Sequence, residues 1–302
     1  MISPVYYQNE CFGYVANLAH HVDVGGGAPA SIGAFREVYQ EGIIIPPIKL
    51  VRGGEMVKDL FALVLAQIRS RVETAGDFRA QLAANITGVR RLRGLLTQWG
   101  SETVSFYQEE LVAYTERRAR AELSRLPQGT FTAQGYVDND GFTKNPVLLV
   151  VKVVIDDEGV LFDFSGSDQQ RPAPVNSTYS MTYSACAYVL KCLIDSDVPV
   201  NDGFYCLVKL IAPEGTVVNA KPPAPVVGGW ETQTRLTDVI LKALAPALPD
   251  HVPAGTKAMQ CQVGFGGTNS RTGELYAFYE AIAGGYGGRV FRDGPDAVQA
   301  HG

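Results

Sequence analysis

The sequence predicts an α+β protein, with mixed sheets and helices that are segregated along the chain instead of alternating with strands. Three observations carry that expectation. One continuous stretch in the first half repeats apolar residues at three- and four-residue spacing. Strand-like runs broken by Asp/Gly turns follow it. Gly-rich, turn-rich segments flank both. At 302 residues and 46% hydrophobic content, the chain is long enough for one large core or two smaller ones.

Three segments of a single domain are expected. Residues 1–58 read as a Gly-rich β and loop segment, with strand-like runs at Pro4 to Tyr7 and Phe12 to Ala16. Residues 59–127 read as helix. Leu60, Leu63, Val64, Gln67 and Ile68 share one helical face, as do Leu92, Leu95, Leu96 and Trp99. A third helix over 101–125 carries Phe106, Leu111, Tyr114 and Leu123 as its apolar stripe and ends at Pro127-Gln128-Gly129. Residues 128–302 read as a β-rich α+β segment. Asp138-Asn139-Asp140-Gly141 is a hairpin loop, and Asp156-Asp157-Glu158-Gly159 joins strands at 147–155 and 160–164. Helices are expected over 179–194 and 236–248, the second stopped by Pro249. The clusters at 264–267 and 284–288 read as tight turns, since neither fits a phosphate loop or a dinucleotide fingerprint.

Charge and cysteine usage narrow the function classes. Lys and Arg number 26 against 31 Asp and Glu, and no basic block occurs, so neither nucleic acid nor an anionic membrane is an expected partner. The first residues lack a basic region followed by an apolar one, and no apolar run approaches the ~18 residues of a membrane span. Five cysteines without C-x-x-C spacing read as buried reduced thiols. The expected location is the cytoplasm.

Chemistry concentrates in Ala19-His20-His21-Val22-Asp23-Val24-Gly25-Gly26-Gly27. Imidazole and carboxylate suit divalent metals, and the glycines let backbone or substrate approach. If the segment is extended, His21 and Asp23 share a face and His20 points away; if it turns at His20, then His20 and Asp23 converge. A histidine packed at a strand end against Asp23 is the plainer alternative. His251 and His301 fall in unremarkable loops.

These segments, with Gln40-Glu41-Gly42-Ile43-Ile44-Ile45-Pro46-Pro47, Gly76-Asp77-Phe78-Arg79, Asp163-Phe164-Ser165-Gly166-Ser167, Pro172-Ala173-Pro174-Val175-Asn176, Gly284-Gly285-Tyr286-Gly287-Gly288-Arg289 and Asp293-Gly294-Pro295-Asp296, resemble the hydantoinase B/5-oxoprolinase family, which includes N-methylhydantoinase B and the metal subunit of acetone carboxylases. The resemblance runs through the whole chain in order. It implies an internal fragment of a larger hydantoinase B-type fold, truncated at both ends, with further metal ligands in an upstream histidine and aspartate. It implies a subunit of an ATP-dependent cyclic amide hydrolase. By the same resemblance a hydantoinase A-like partner would bind ATP and activate the carbonyl of a small cyclic amide, which a metal-bound water would then attack. The assembly would be a hetero-oligomer. His20 and Asp23 map to the metal (Mn, Zn or Fe), with Asp23 orienting His20 or its neighbour. Glu280 is the candidate catalytic group on the substrate side. Ala30 stands where the family commonly has Gly, and Gln67 where it commonly has Asn. The alternatives are a subunit of an ATP-dependent ketone carboxylase and a non-catalytic structural fragment.

Overall fold

Gln8 and Asn9 both take positive φ, 50° and 68°, the backbone that a two-residue hairpin turn requires. They join β1 (Ile2–Tyr7) to β2 (Glu10–Ala16) as an antiparallel pair. The computed structural model describes residues 1–259, 261–299 and 301. A short hairpin, β3 (Val51–Arg52) with β4 (Glu55–Met56), precedes three helices. These are α1 (Lys58–Ala66), α2 (Arg71–Trp99) and α3 (Ser101–Leu123). Gly100, at φ 78°, separates the last two. The helical segment thus matches its sequence pattern, but its apolar stripes are only partly covered. Leu96 and Leu123 are buried, whereas Leu95, Trp99, Phe106, Leu111 and Tyr114 are exposed. The reason is that α3 reaches the core only through its second half, by Thr115, Ala119 and Leu123.

The core is a four-stranded sheet in the order β5 (Gly129–Val137), β6 (Val147–Asp156), β7 (Gly159–Asp163), β8 (Val208–Ile211). The first three are antiparallel neighbours, and β8 runs parallel to β7. That parallel pair needs a crossover, which holds α4 (Tyr179–Leu193) and the single turn α5 (Asp202–Tyr205). Strand β6 alternates as its sequence dictates: Val147, Leu149, Val151, Val153 and Ile155 are all buried in one cluster with Leu190 of α4. Leu236, Ile240 and Leu244 of α6 (Gly229–Leu244) belong to the same cluster.

Helix α6 corrects the sequence reading at both ends. It begins at Gly229, not near Leu236, because Gly229 is a packing residue: a Cβ there would lie 2.7 Å from the Asn176 carbonyl oxygen. It ends before Pro246 and not at Pro249, since proline disfavours helix in the residue ahead of it. A second correction concerns the Gly264–267 cluster. It is not a turn but the middle of β9 (Cys261–Thr268), paired antiparallel with β10 (Leu275–Ile282). Gly266 is small so that Pro29 can approach; a Cβ would lie 2.7 Å from the Pro29 Cβ. All five cysteines are free thiols, but only Cys186 is buried as expected. Burial there pushes its pKa well above the ordinary thiol value. Among the described residues no helix is long and apolar enough to cross a membrane.

The packing makes a direct prediction. Leu236→Ala, in the centre of the core, should cost about 2–5 kcal/mol, and Leu63→Ala, on the exposed face of α1, about 0.5 kcal/mol or less. Urea unfolding of the two variants measures the difference.

Candidate active site

The His-rich segment leaves the first hairpin through Asn17. Its side chain donates to the Gln81 carbonyl and to Asn85 Oδ1, 2.7 Å each, and accepts from Gln81 Nε2 at 2.9 Å. The hairpin is therefore fixed to α2 immediately before the motif. His21 lies against α2 as well, its ring stacked on Phe78 at 5.0 Å and its Nδ1 3.4 Å from Asp77 Oδ2. His20 is exposed and points elsewhere, its ring 6.1 Å from that of Tyr279 on β10. Burial pushes the Tyr279 phenol above its ordinary pKa.

Asp23 is completely buried. Its Oδ1 accepts from the Gly25 and Arg69 amides at 2.9 and 3.3 Å. Its Oδ2 accepts from the Ala30 amide at 2.9 Å and from Arg69 Nη1 at 3.2 Å. Arg69 also donates to the carbonyls of Gly25, Gly26 and Ala28. One carboxylate and one guanidinium thus gather the whole 23–30 loop. Ser31 adds to the knot, donating to the Gly25 carbonyl and accepting from the Val24 amide. Ala30 and Ser31 both have positive φ, 58° and 57°. That region costs a residue with a Cβ roughly 1–2 kcal/mol. It accounts for the glycine preference that the family resemblance gives to position 30.

A second strut holds the opposite side. Gly27 donates to the Gln40 carbonyl and Ile43 to the Val24 carbonyl, so residues 24–27 run beside 40–43. Glu41 is buried, and its Oε1 accepts from the amides of Val226 and Val227 at 2.7 Å each, just ahead of α6. Burial pushes its carboxyl above the usual range, and the two amides pull it partly back.

The sequence-derived candidates are not brought together. Glu280 follows Tyr279 on β10, so alternation along the strand sends it to the face away from His20. Both oxygens of Asp23 are occupied by N–H donors. Among the described residues His20 has no hydrogen-bond or ion-pair partner. Among the described residues no group of three or more His, Cys, Asp and Glu is placed to hold a metal ion. His20 thus stands without a second ligand beside it, and the described residues do not make a complete metal site. The expectation for His301 is also corrected: it is buried, with Nε2 3.0 Å from Asp238 Oδ1 and its ring between Tyr188 and Tyr286. Sequence reasoning missed Arg69, Glu41 and Tyr279. For Arg69 the one available signal was its place directly after a helix that faces the Gly-rich loop; Glu41 carried none.

A family model described as Hydantoinase B/oxoprolinase matches residues 1–302. An uncharacterized protein of Methanocaldococcus jannaschii is 39% identical over 95% of this chain and 50% of its own length. The caprolactamase subunit beta of Pseudomonas jessenii is 32% identical over 84% of this chain and 44% of its own length. The crystal structure of the ATP-dependent caprolactamase from Pseudomonas jessenii superposes with a TM-score of 0.87 at 28% identity, covering 98% of this chain and 52% of that one. The chain spans about half the length of the curated relatives it matches.

Two predictions test the scaffold. Arg69→Ala leaves a buried carboxylate short of donors and three carbonyls unpaired, which should cost about 3 kcal/mol, whereas Ala30→Gly should stabilise by about 1 kcal/mol; thermal unfolding separates the signs. For Glu41 the fold favours the protonated form. Its contribution is complete below the unfolded pKa of about 4.3 and is lost as pH rises through the higher folded value. Glu41→Gln keeps the acceptor oxygen without the charge. Urea unfolding should therefore show the variant gaining on the wild type from pH 4 to pH 8, and a difference independent of pH would contradict this.

Proposed function

The chain belongs to the hydantoinase B/oxoprolinase family, and on that premise we propose that it forms the ring-opening part of an ATP-dependent hydrolase of small cyclic amides. The observation that carries the reading is the contrast at the motif: Asp23, Arg69 and Ser31 are committed to holding the loop, while His20 is exposed and has no hydrogen-bond partner among the described residues. A side chain left free on a loop this firmly held suits a contribution to chemistry. Names among the relatives support the substrate class, since the chain resembles a caprolactamase subunit and its family model includes oxoprolinases.

In the proposed reaction a hydantoinase A-like partner handles ATP, because this sequence carries no phosphate-loop signature. Phosphoryl transfer from ATP to the amide oxygen by that partner, releasing ADP, makes the ring carbon electrophilic. One water adds to that carbon and the C–N bond breaks with a proton passing to the ring nitrogen. A second water hydrolyses the resulting acyl phosphate to carboxylate and inorganic phosphate. His20 would lend its imidazole to a divalent metal whose remaining ligands come from outside these 302 residues. Such an ion, when bound, supplies Lewis-acid polarisation and lowers the pKa of water to about 7. Asp23 and Arg69 fix the path of the loop that bears His20. Tyr279 walls the imidazole on its β10 side. Glu280, exposed on the other face, is proposed as a substrate-side group acting apart from His20. A hetero-oligomer in the cytoplasm, where ATP is available, completes the proposal.

The test uses the enzyme reconstituted with its ATP-binding partner and supplied with 5-oxoproline, a hydantoin and caprolactam. One of the three should be opened only with ATP. His20→Ala should lower both metal content and turnover by roughly 100-fold, and Glu280→Gln should lower turnover with metal content unchanged. Ring opening without ATP, or undiminished metal in His20→Ala, would overturn the reading.

A further inference from the structure

Buried polar atoms are nearly always paired, so those without a protein partner point to a bound molecule. Three of them line the underside of the motif: Ser70 Oγ, Thr74 Oγ1 and His21 Nδ1. Thr74 has no exposed surface and Ser70 keeps 4%. Each hydroxyl forgoes the partner that its position on α2 offers. Ser70 is the N-cap residue, yet its side chain accepts from no amide of the first turn. Thr74 sits one turn further, where a hydroxyl can donate to the carbonyl four residues earlier. Thr97, Thr115 and Thr237 do so at 2.9, 2.9 and 3.1 Å, and Thr74 does not. The His21 nitrogen comes within 3.4 Å of Asp77 Oδ2 without the alignment of a hydrogen bond.

Contacts along α2 bring the three atoms into one seam. The chain from Asn17 to Asp23 runs along the helix toward its start. Asn17 meets Gln81 and Asn85, His21 meets Asp77 and Phe78, and Asp23 meets Arg69. Ser70, Thr74, Phe78, Gln81 and Asn85 follow one another at three- and four-residue spacing and so share a helix face. Thr74 and Ser70 therefore lie between the level of His21 and the level of Asp23, beneath residues 21–23. Asp23 cannot serve them, since each of its oxygens already accepts two hydrogen bonds.

We propose that this seam is a binding site for internal water, which joins α2 to the motif at His21. The chemistry of the lining selects the ligand. Two hydroxyls and one imidazole nitrogen offer a water about the three hydrogen bonds typical of a buried one. The hydroxyls carry no charge with which to hold an ion, and Asp77, at the outer edge, is 47% exposed. Among the described residues no group of three or more His, Cys, Asp and Glu is placed for a metal. The water is a third fastening of the loop that bears His20, beside Asn17 and the Asp23–Arg69 pair. The inference does not depend on the proposed reaction.

A high-resolution crystal structure of the chain, paired with urea unfolding of Thr74→Val, tests it. Density for a water is expected within roughly 2.6–3.2 Å of at least two of the three atoms. Valine matches threonine in shape and nearly in helix propensity, so the variant isolates the hydroxyl. Thr74→Val should empty the density beside it, lower the urea midpoint and raise the unfolding constant about 5-fold. Thr74→Ser, which keeps the hydroxyl, should keep the water. In a dry seam the same valine replaces an orphan hydroxyl, and the midpoint rises. A midpoint equal to or above that of the wild type would overturn the proposal, as would hydroxyls turned onto the helix backbone with no density between them. So would rubidium located in the seam of soaked crystals, since that result assigns a cation.

Discussion

A single buried carboxylate organises the motif. Asp23 has no solvent contact, so its charge is tolerated only because Arg69 and three backbone amides surround it. Remove that requirement and nothing forces residues 25 to 30 to turn back with their amides pointing inward, or Ala30 and Ser31 to accept positive φ. The strain of those two residues is held by the four hydrogen bonds that end on the aspartate. Arg69 then uses its remaining donors on the carbonyls of the same loop. The knot is local in space yet joins residues more than forty positions apart in the chain.

The rest of the fold serves that knot from two sides. On one, α2 receives the first hairpin through Asn17 and Asn85 and takes the ring of His21 on Phe78. On the other, β9 brings its glycines against Pro29 and Ala30, which sets β10 and Tyr279 next to His20. The four-stranded sheet with α4 and α6 is the stable body behind them, and Glu41 fastens the loop to the entry of α6. Of the two neighbouring histidines, one is therefore used for packing and the other is left to solvent.

Much of this was legible from sequence where local chemistry decides the structure. The 156–159 turn, the Asp/Gly connection after β5, the alternation of β6 and the helical character of 59–127 follow from turn residues and periodicity, whereas the break between α1 and α2 and the extension of the β5–β6 loop to residue 146 do not. The metal-type motif was visible because its residues are adjacent. What sequence could not supply was tertiary partnership. Gly264 to Gly267 look like a turn and become strand only where Pro29 and Ala30 press on them, and α6 starts at Gly229, ahead of its periodic stretch, where Asn176 packs against it. Neither the Arg69 contact of Asp23 nor the Asp238 contact of His301 could be read from sequence. Glu280 was singled out by its place before the Gly284 cluster, and strand alternation puts it on the face of β10 opposite Tyr279. The unburied stripe of α3 belongs to the same class: periodicity shows that a face is apolar, not what covers it.

The central claim is that Asp23 acts as a structural anchor whose hydrogen bonds hold the loop that presents His20. Native-state hydrogen exchange at single-residue resolution tests it most directly. The account predicts that the amides of Gly25, Ala30 and Arg69 are strongly protected and that all three lose protection together in Asp23→Ala, while the amides of β6 keep theirs. Unprotected Gly25 and Ala30 amides in the wild type, or protection that survives Asp23→Ala, would contradict it.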